Sequence, residues 1–84
     1  MFEKIIPMLR QITEDRSVPR NIKDKITESI KELENDKQAV PIRVNAVVSV
    51  MDDISNDPNI PMYTRTQIWN IVSALEVVGA EASK

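Results

Sequence analysis

The sequence predicts an all-α fold, a four-helix up-and-down bundle built from two helical hairpins. One glycine in 84 residues and three aromatic residues are too few for the tight turns and cross-strand pairs of a sheet. Apolar residues recur at spacings of three and four along the chain, and no stretch sustains the alternation of a strand. The apolar residues are spread evenly, which predicts one domain over residues 1–84 with no separable second core.

The first helix is expected over about residues 2–15, where Ile5, Leu9 and Ile12 form a stripe flanked by Phe2 and Met8. Pro7 fits only if the helix starts close to it; otherwise it kinks the first turn, because it lacks an N–H and crowds the carbonyl four residues back. The second helix, about 18–36, repeats Ile22, Ile26, Ile30 and Leu33 on one stripe with charges around the rest, the pattern of a surface helix. In the third, about 41–56, Val44, Val47, Val48, Met51 and Ile54 share a face with Ile42, Ala46 and Val50 beside it, so it should be the most buried helix. The fourth, about 60–78, uses Ile68, Ile71, Val72 and Leu75, and Gly79 stands where a left-handed terminating residue is expected. Residues 79–84 then form a frayed tail.

Shifting the chain by 42 superposes Ile12 on Ile54, Asp15 on Asp57, Pro19 on Pro61, Ile26 on Ile68, Leu33 on Leu75 and Glu34 on Glu76. In the same register Ser17 falls on Asn59, and both are good N-cap residues followed by an apolar residue and a proline in the first turn. Each half therefore reads as helix, Asp-containing turn, capped helix, whether by duplication or by convergence of two helical hairpins.

The run Asp53-Ile54-Ser55-Asn56-Asp57-Pro58-Asn59-Ile60-Pro61, followed by Arg65-Thr66, Ile68-Trp69 and Leu75-Glu76, resembles the uncharacterised protein family 0147 of the archaea. Ser17-Val18-Pro19-Arg20-Asn21 fits the same family, so the likeness covers nearly the whole chain. It implies an archaeal cytosolic protein with a four-helix bundle, and it brings no activity to any residue.

Composition excludes several function classes. With no cysteine and no histidine, the thiolate nucleophile, the commonest general base and the usual zinc ligands are all missing. A single glycine leaves no Gly-rich phosphate cradle. Asp52 and Asp53 are adjacent on a helix and point about 100° apart, so they read as a solvated pair rather than an acid/base couple. Asp53 and Asp57 could face a cation, but such a site needs more oxygen ligands than this stretch supplies. The expectation is a non-enzyme with no catalytic residue, no cofactor and no metal. A third-ranked reading, a weak enzyme, would have to work through Asp57 and Arg65 alone.

Charge and hydropathy bear on location and partners. Residues 1–39 carry eight basic and eight acidic side chains, residues 40–84 three and five, for a net charge of −2. That is the wrong sign for a nucleic-acid binder, whose affinity rests on neutralised phosphates. The start, Met1-Phe2-Glu3-Lys4-Ile5-Ile6-Pro7, lacks the basic region and apolar run of a signal peptide, and no segment approaches the ~20 apolar residues of a membrane span. A cytoplasmic protein with no membrane association is expected, in line with the absence of disulfides.

In an antiparallel bundle the connections between helices one and two and between helices three and four lie at the same end. That end would gather Asp15, Arg16, Arg20, Asn21, Asp57, Asn59, Tyr63 and Arg65, with Trp69 at the margin of the buried stripe of the fourth helix. The plain alternative is that Asp15 and Asp57 cap helix starts and pair with Arg20 or Arg65, while Trp69 covers the core edge. As a candidate interaction surface, the same residues fit a protein partner, a second copy included, with tryptophan in the anchoring role it often takes at interfaces. A ribonucleoprotein or translation-associated factor is the runner-up, resting on Arg10, Arg16, Arg20, Lys23 and Lys25.

Overall fold

The computed structural model describes residues 1–82. It holds four helices, α1 (Ile5–Thr13), α2 (Arg20–Leu33), α3 (Val40–Ser55) and α4 (Met62–Ala82), and no strand among the described residues. Each helix packs on its neighbours in chain order and α4 closes back on α1, with no diagonal packing, which makes an up-and-down bundle of 37 × 20 × 19 Å.

Prolines and the residues before them set where helices start. A residue preceding proline is biased toward extended backbone, and at Val18 and Ile60 the helix begins only after the ring, whereas Ile6 before Pro7 and Val40 before Pro41 are already helical. The Pro19 carbonyl accepts from the Ile22 and Lys23 N–H groups, and the Pro61 carbonyl from Thr64 and Arg65. Both prolines thus stand at the cap position. The expected starts at 18 and 60 are corrected to 20 and 62, and Ser17 and Asn59 are not the caps. Pro7 sits third in α1, within the first turn where proline is tolerated, and the one carbonyl it cannot serve is that of exposed Glu3. The first helix begins at Ile5 rather than 2, with the Phe2 carbonyl accepting from Ile5 and Ile6.

The core is one stripe from each helix: Leu9 and Ile12, Ile22 and Ile26, Val47 and Met51, Ile68 and Leu75 are all fully buried. Val18 and Ile60 fold in from the two turns and close that end, while Phe2 closes the other beneath the Arg43 guanidinium, 5.8 Å above its ring.

Two expectations about burial and termination are overturned. Although α3 is apolar around most of its circumference, only Val44, Val47, Met51 and Ile54 are buried, and Ile42 is 53% exposed. In a closed ring of four helices each gives one stripe to the shared core, so α3 is no deeper than its partners. Nor does Gly79 end α4: the helix continues to Ala82 and no residue among those described has positive φ. Gly79 serves packing instead, since a Cβ there would come 3.2 Å from Val44 Cγ1. Of the expected tail, residues 79–82 are helical, and 83–84 lie outside the described residues.

Candidate functional site

The three interhelical turns are built alike. In the first, Asp15 Oδ1 accepts from the Ser17 N–H at 2.9 Å; in the second, Asn35 Oδ1 accepts from Lys37 at 3.2 Å; in the third, Asp57 Oδ1 accepts from Asn59 at 2.8 Å. These are Asx turns, in which a short polar side chain takes the place of a backbone acceptor. They account for the recurrence of Asp15 and Asp57 in register, while Ser17 and Asn59 take part through their backbone N–H groups.

Turns one and three lie side by side. The Tyr63 hydroxyl, at the start of α4, donates to Asp15 Oδ2 at 2.6 Å and also contacts the Ser17 hydroxyl, which itself donates to Asp15 Oδ1 at 2.6 Å. These bonds hold the Asp15 carboxyl below the ordinary carboxylate range: the Ser17 hydroxyl contributes most, then the Tyr63 hydroxyl, then the Ser17 N–H, with Lys23 adding a small charge effect against some desolvation. A carboxylate stabilised this way is a poorer base toward its own donors. The cluster is chemically a latch between two turns.

Arg65 has a different partner from the one expected. Its Nε donates to the Ser55 carbonyl at 2.9 Å and its Nη2 to the Asp57 carbonyl at 2.8 Å, so it closes the C-terminus of α3 rather than pairing with the Asp57 carboxylate. Arg43, twenty-two residues earlier, does the same for α2, donating from Nε to the Gln38 carbonyl and from Nη1 to the Leu33 carbonyl. Among the described residues the ion pairs are Lys31 with Glu28 and the N-terminal amine with Glu3. The expected pairing of Asp15 or Asp57 with Arg20 or Arg65 is therefore corrected. At helix C-termini orphan carbonyls offer an arginine fork a site that costs less side-chain entropy than an exposed carboxylate.

Of the nine candidate surface residues, then, the structure joins Asp15 to Tyr63 and Arg65 to the Asp57 backbone. Asn59 bonds to Asp57 only through its N–H. Arg16, Arg20 and Asn21 are exposed beside the latch without a hydrogen bond to it among the described residues. Trp69 stands apart, two turns along α4, and is 56% exposed rather than covering the core edge. It shares the α3 side of α4 with Glu76, seven residues on, and Glu76, Gly79 and Ala80 line a groove of about 320 Å³ with Pro41, Val44, Asn45 and Val48 of α3. Met62, seven residues before Trp69, is 68% exposed on the same side.

Sequence reasoning missed Asn35 and Arg43 as turn residues and read Ser17 as a helix cap rather than a turn donor; it also missed Thr64, which is fully buried and whose hydroxyl has no hydrogen-bond partner among the described residues. The signal for Arg43 and Asn35 was present as their 22-residue spacing from Arg65 and Asp57, but the middle turn lacks the proline that marked the other two. Among the described residues, no three acidic side chains come together as a metal site would need, and no helix is long and apolar enough to cross a membrane.

The sequence profile of the Uncharacterised protein family (UPF0147) matches residues 1–78. The chain belongs to that family. A UPF0147 protein of Methanothermobacter thermautotrophicus is 46% identical over 77 residues, 92% of this chain and 76% of that one. A UPF0147 protein of Sulfurisphaera tokodaii is 41% identical over 92% of this chain and 86% of its own length. The crystal structure of MMP1188, described as a protein of unknown function, is 45% identical with a TM-score of 0.84, covering 89% of this chain and 85% of that one. The bundle is thus shared with that solved structure, and both UPF0147 relatives come from archaea.

Proposed function

We propose that the protein is a small non-catalytic interaction module of the cytoplasm that binds another protein through the outer side of α4 and the adjoining turn end. The observation that carries this reading is Trp69, the chain's one tryptophan, more than half exposed on a helix side it shares with exposed Met62. From Thr66 to Ala82 that helix bears no basic residue and only Glu76 and Glu81 as charges, whereas the outward side of α2 is almost wholly charged. A solvated helix normally looks like α2; an outer side that is sparsely charged, with exposed Met62 and Trp69 set among the neutral Thr66, Asn70 and Ser73, resembles the centre of an interface, where charge is depleted and tryptophan enriched.

The latch supports the same reading, because it fixes the entry of α4 against turn one and so presents Met62 and Trp69 on a rigid element. The test is affinity capture from native cytosol with wild type and with Trp69→Ala and Met62→Ala, identifying protein and nucleic acid in the eluate. The expected result is a protein retained by wild type and lost with Trp69→Ala at unchanged melting temperature. Equal capture by all three chains overturns the reading, and RNA as the retained species turns it to the ribonucleoprotein class.

A further inference from the structure

We propose that the side of the α3–α4 hairpin around Trp69 docks an amphipathic helix whose apolar stripe is flanked by lysine or arginine. The inference rests on the interaction reading above and names its partner's chemistry.

Two features define the surface. The first is shape and polarity: Trp69 lies two helical turns from Glu76, and beyond it the groove between α3 and α4 is floored by Val44, Gly79 and Ala80. Gly79 keeps the groove open at its floor, because any side chain there would meet Val44. The groove runs over residues 41–48 of α3 and 76–80 of α4, about 10 Å of helix, and Trp69 adds an anchor two turns away; a helix-in-groove partner sets its apolar side on anchors spaced in this way.

The second feature is charge. The hairpin's arginines are both held at its ends: Arg43 lies over the end of α2, and Arg65 over the end of α3. Between them the exposed charges on this side are acidic, Asp52 on α3 and Glu76 on α4. A groove with an apolar floor, Trp69 beside it, carboxylates at its rim and no cation between Arg43 and Arg65 repels a second copy of the same face, since Asp52 and Glu76 would meet like charges. It equally repels an anionic lipid surface or a nucleic-acid backbone. A basic-rimmed apolar helix complements it in both respects.

The probe is a synthetic amphipathic peptide of leucine and lysine in helical register, compared with the same peptide carrying glutamate for lysine. Binding is read by calorimetry and by the fluorescence of Trp69, which as the single tryptophan reports this surface alone. The lysine peptide is expected to bind and shift Trp69 emission to the blue. The glutamate peptide should bind at least tenfold more weakly. Trp69→Ala, Glu76→Lys and Asp52→Lys should each weaken the lysine peptide about tenfold or more. Asp24→Lys, the same charge change on α2, should stay within about twofold.

All four substitutions are at exposed positions, so a melting temperature near that of wild type accompanies each. Equal weakening by Asp24→Lys overturns the proposal, because net charge would then explain the binding. So does an unshifted Trp69 spectrum, or sedimentation showing a dimer that Trp69→Ala dissolves. If the lysine peptide fails to bind while Trp69→Ala still loses its cytosolic protein, the basic-helix assignment falls and the interaction reading stands.

Discussion

Replacing Arg65 with alanine removes two charge-assisted hydrogen bonds, at 2.9 and 2.8 Å, from the carbonyls that end α3 and open the third turn. A hydrogen bond to a charged group is worth ~1.5–3 kcal/mol when the partner is left dry. Arg65 is half-buried, so water reaches part of the site and recovers part of that loss. The expected cost is about 1–2 kcal/mol, above the ~0–1 kcal/mol of an exposed ion pair. For a chain of this size that lowers the melting temperature by roughly 4–16 °C, at 4–8 °C per kcal/mol. The decisive assay is a double-mutant cycle with Asp57→Asn, which deletes the carboxylate charge but keeps an oxygen for the Asn59 N–H. Because Arg65 holds the backbone carbonyl of Asp57, the coupling energy should be below about 0.5 kcal/mol, the additivity limit for independent groups. Urea denaturation of the four chains measures it. A coupling above about 1 kcal/mol, or an Arg65→Ala cost under about 0.5 kcal/mol, would refute the carbonyl-clamp argument.

Two further outcomes test the latch and its surroundings. The Asp15 carboxyl titrates lower in the folded chain than in the unfolded one, so its contribution to stability is present above the unfolded carboxylate pKa near 3.9 and is lost as pH falls through the lower folded value. Thermal melts from pH 6 to 2 should therefore show a steeper acid loss for wild type than for Asp15→Asn, with Tyr63→Phe in between; superimposable profiles would mean the latch does not form. Thr64→Val should stabilise the chain by about 1 kcal/mol, since it removes a buried hydroxyl that has no partner among the described residues while keeping the side chain's shape. Chemical denaturation measures it, and a loss of stability would show that the hydroxyl has a partner.

The stretches that could be read in advance are those whose physics is local. The spacing of Ile22, Ile26 and Leu33 requires a helix with one buried stripe, and the structure buries each of them. The proline-bearing turns were legible for the same reason, although Pro19 and Pro61 stand at the cap position rather than in the first turn, which moves α2 and α4 two residues on. Gly79 shows the limit. Past a periodic helix a glycine reads as a terminator, yet here it makes room for Val44, a residue 35 positions away. No local pattern carries that distance.

The sequence by itself determined the helix count, the core stripes, the lack of thiol and imidazole chemistry and the shared end of turns one and three. Only the tertiary structure decided how the polar residues are spent: Tyr63 on Asp15, Arg65 and Arg43 on the ends of preceding helices, Trp69 on solvent. Apolar periodicity is written into each segment because burial is roughly additive along a helix. A polar side chain has several partners of similar energy within reach, and which one it takes depends on where the bundle leaves an unsatisfied carbonyl or a neighbouring turn.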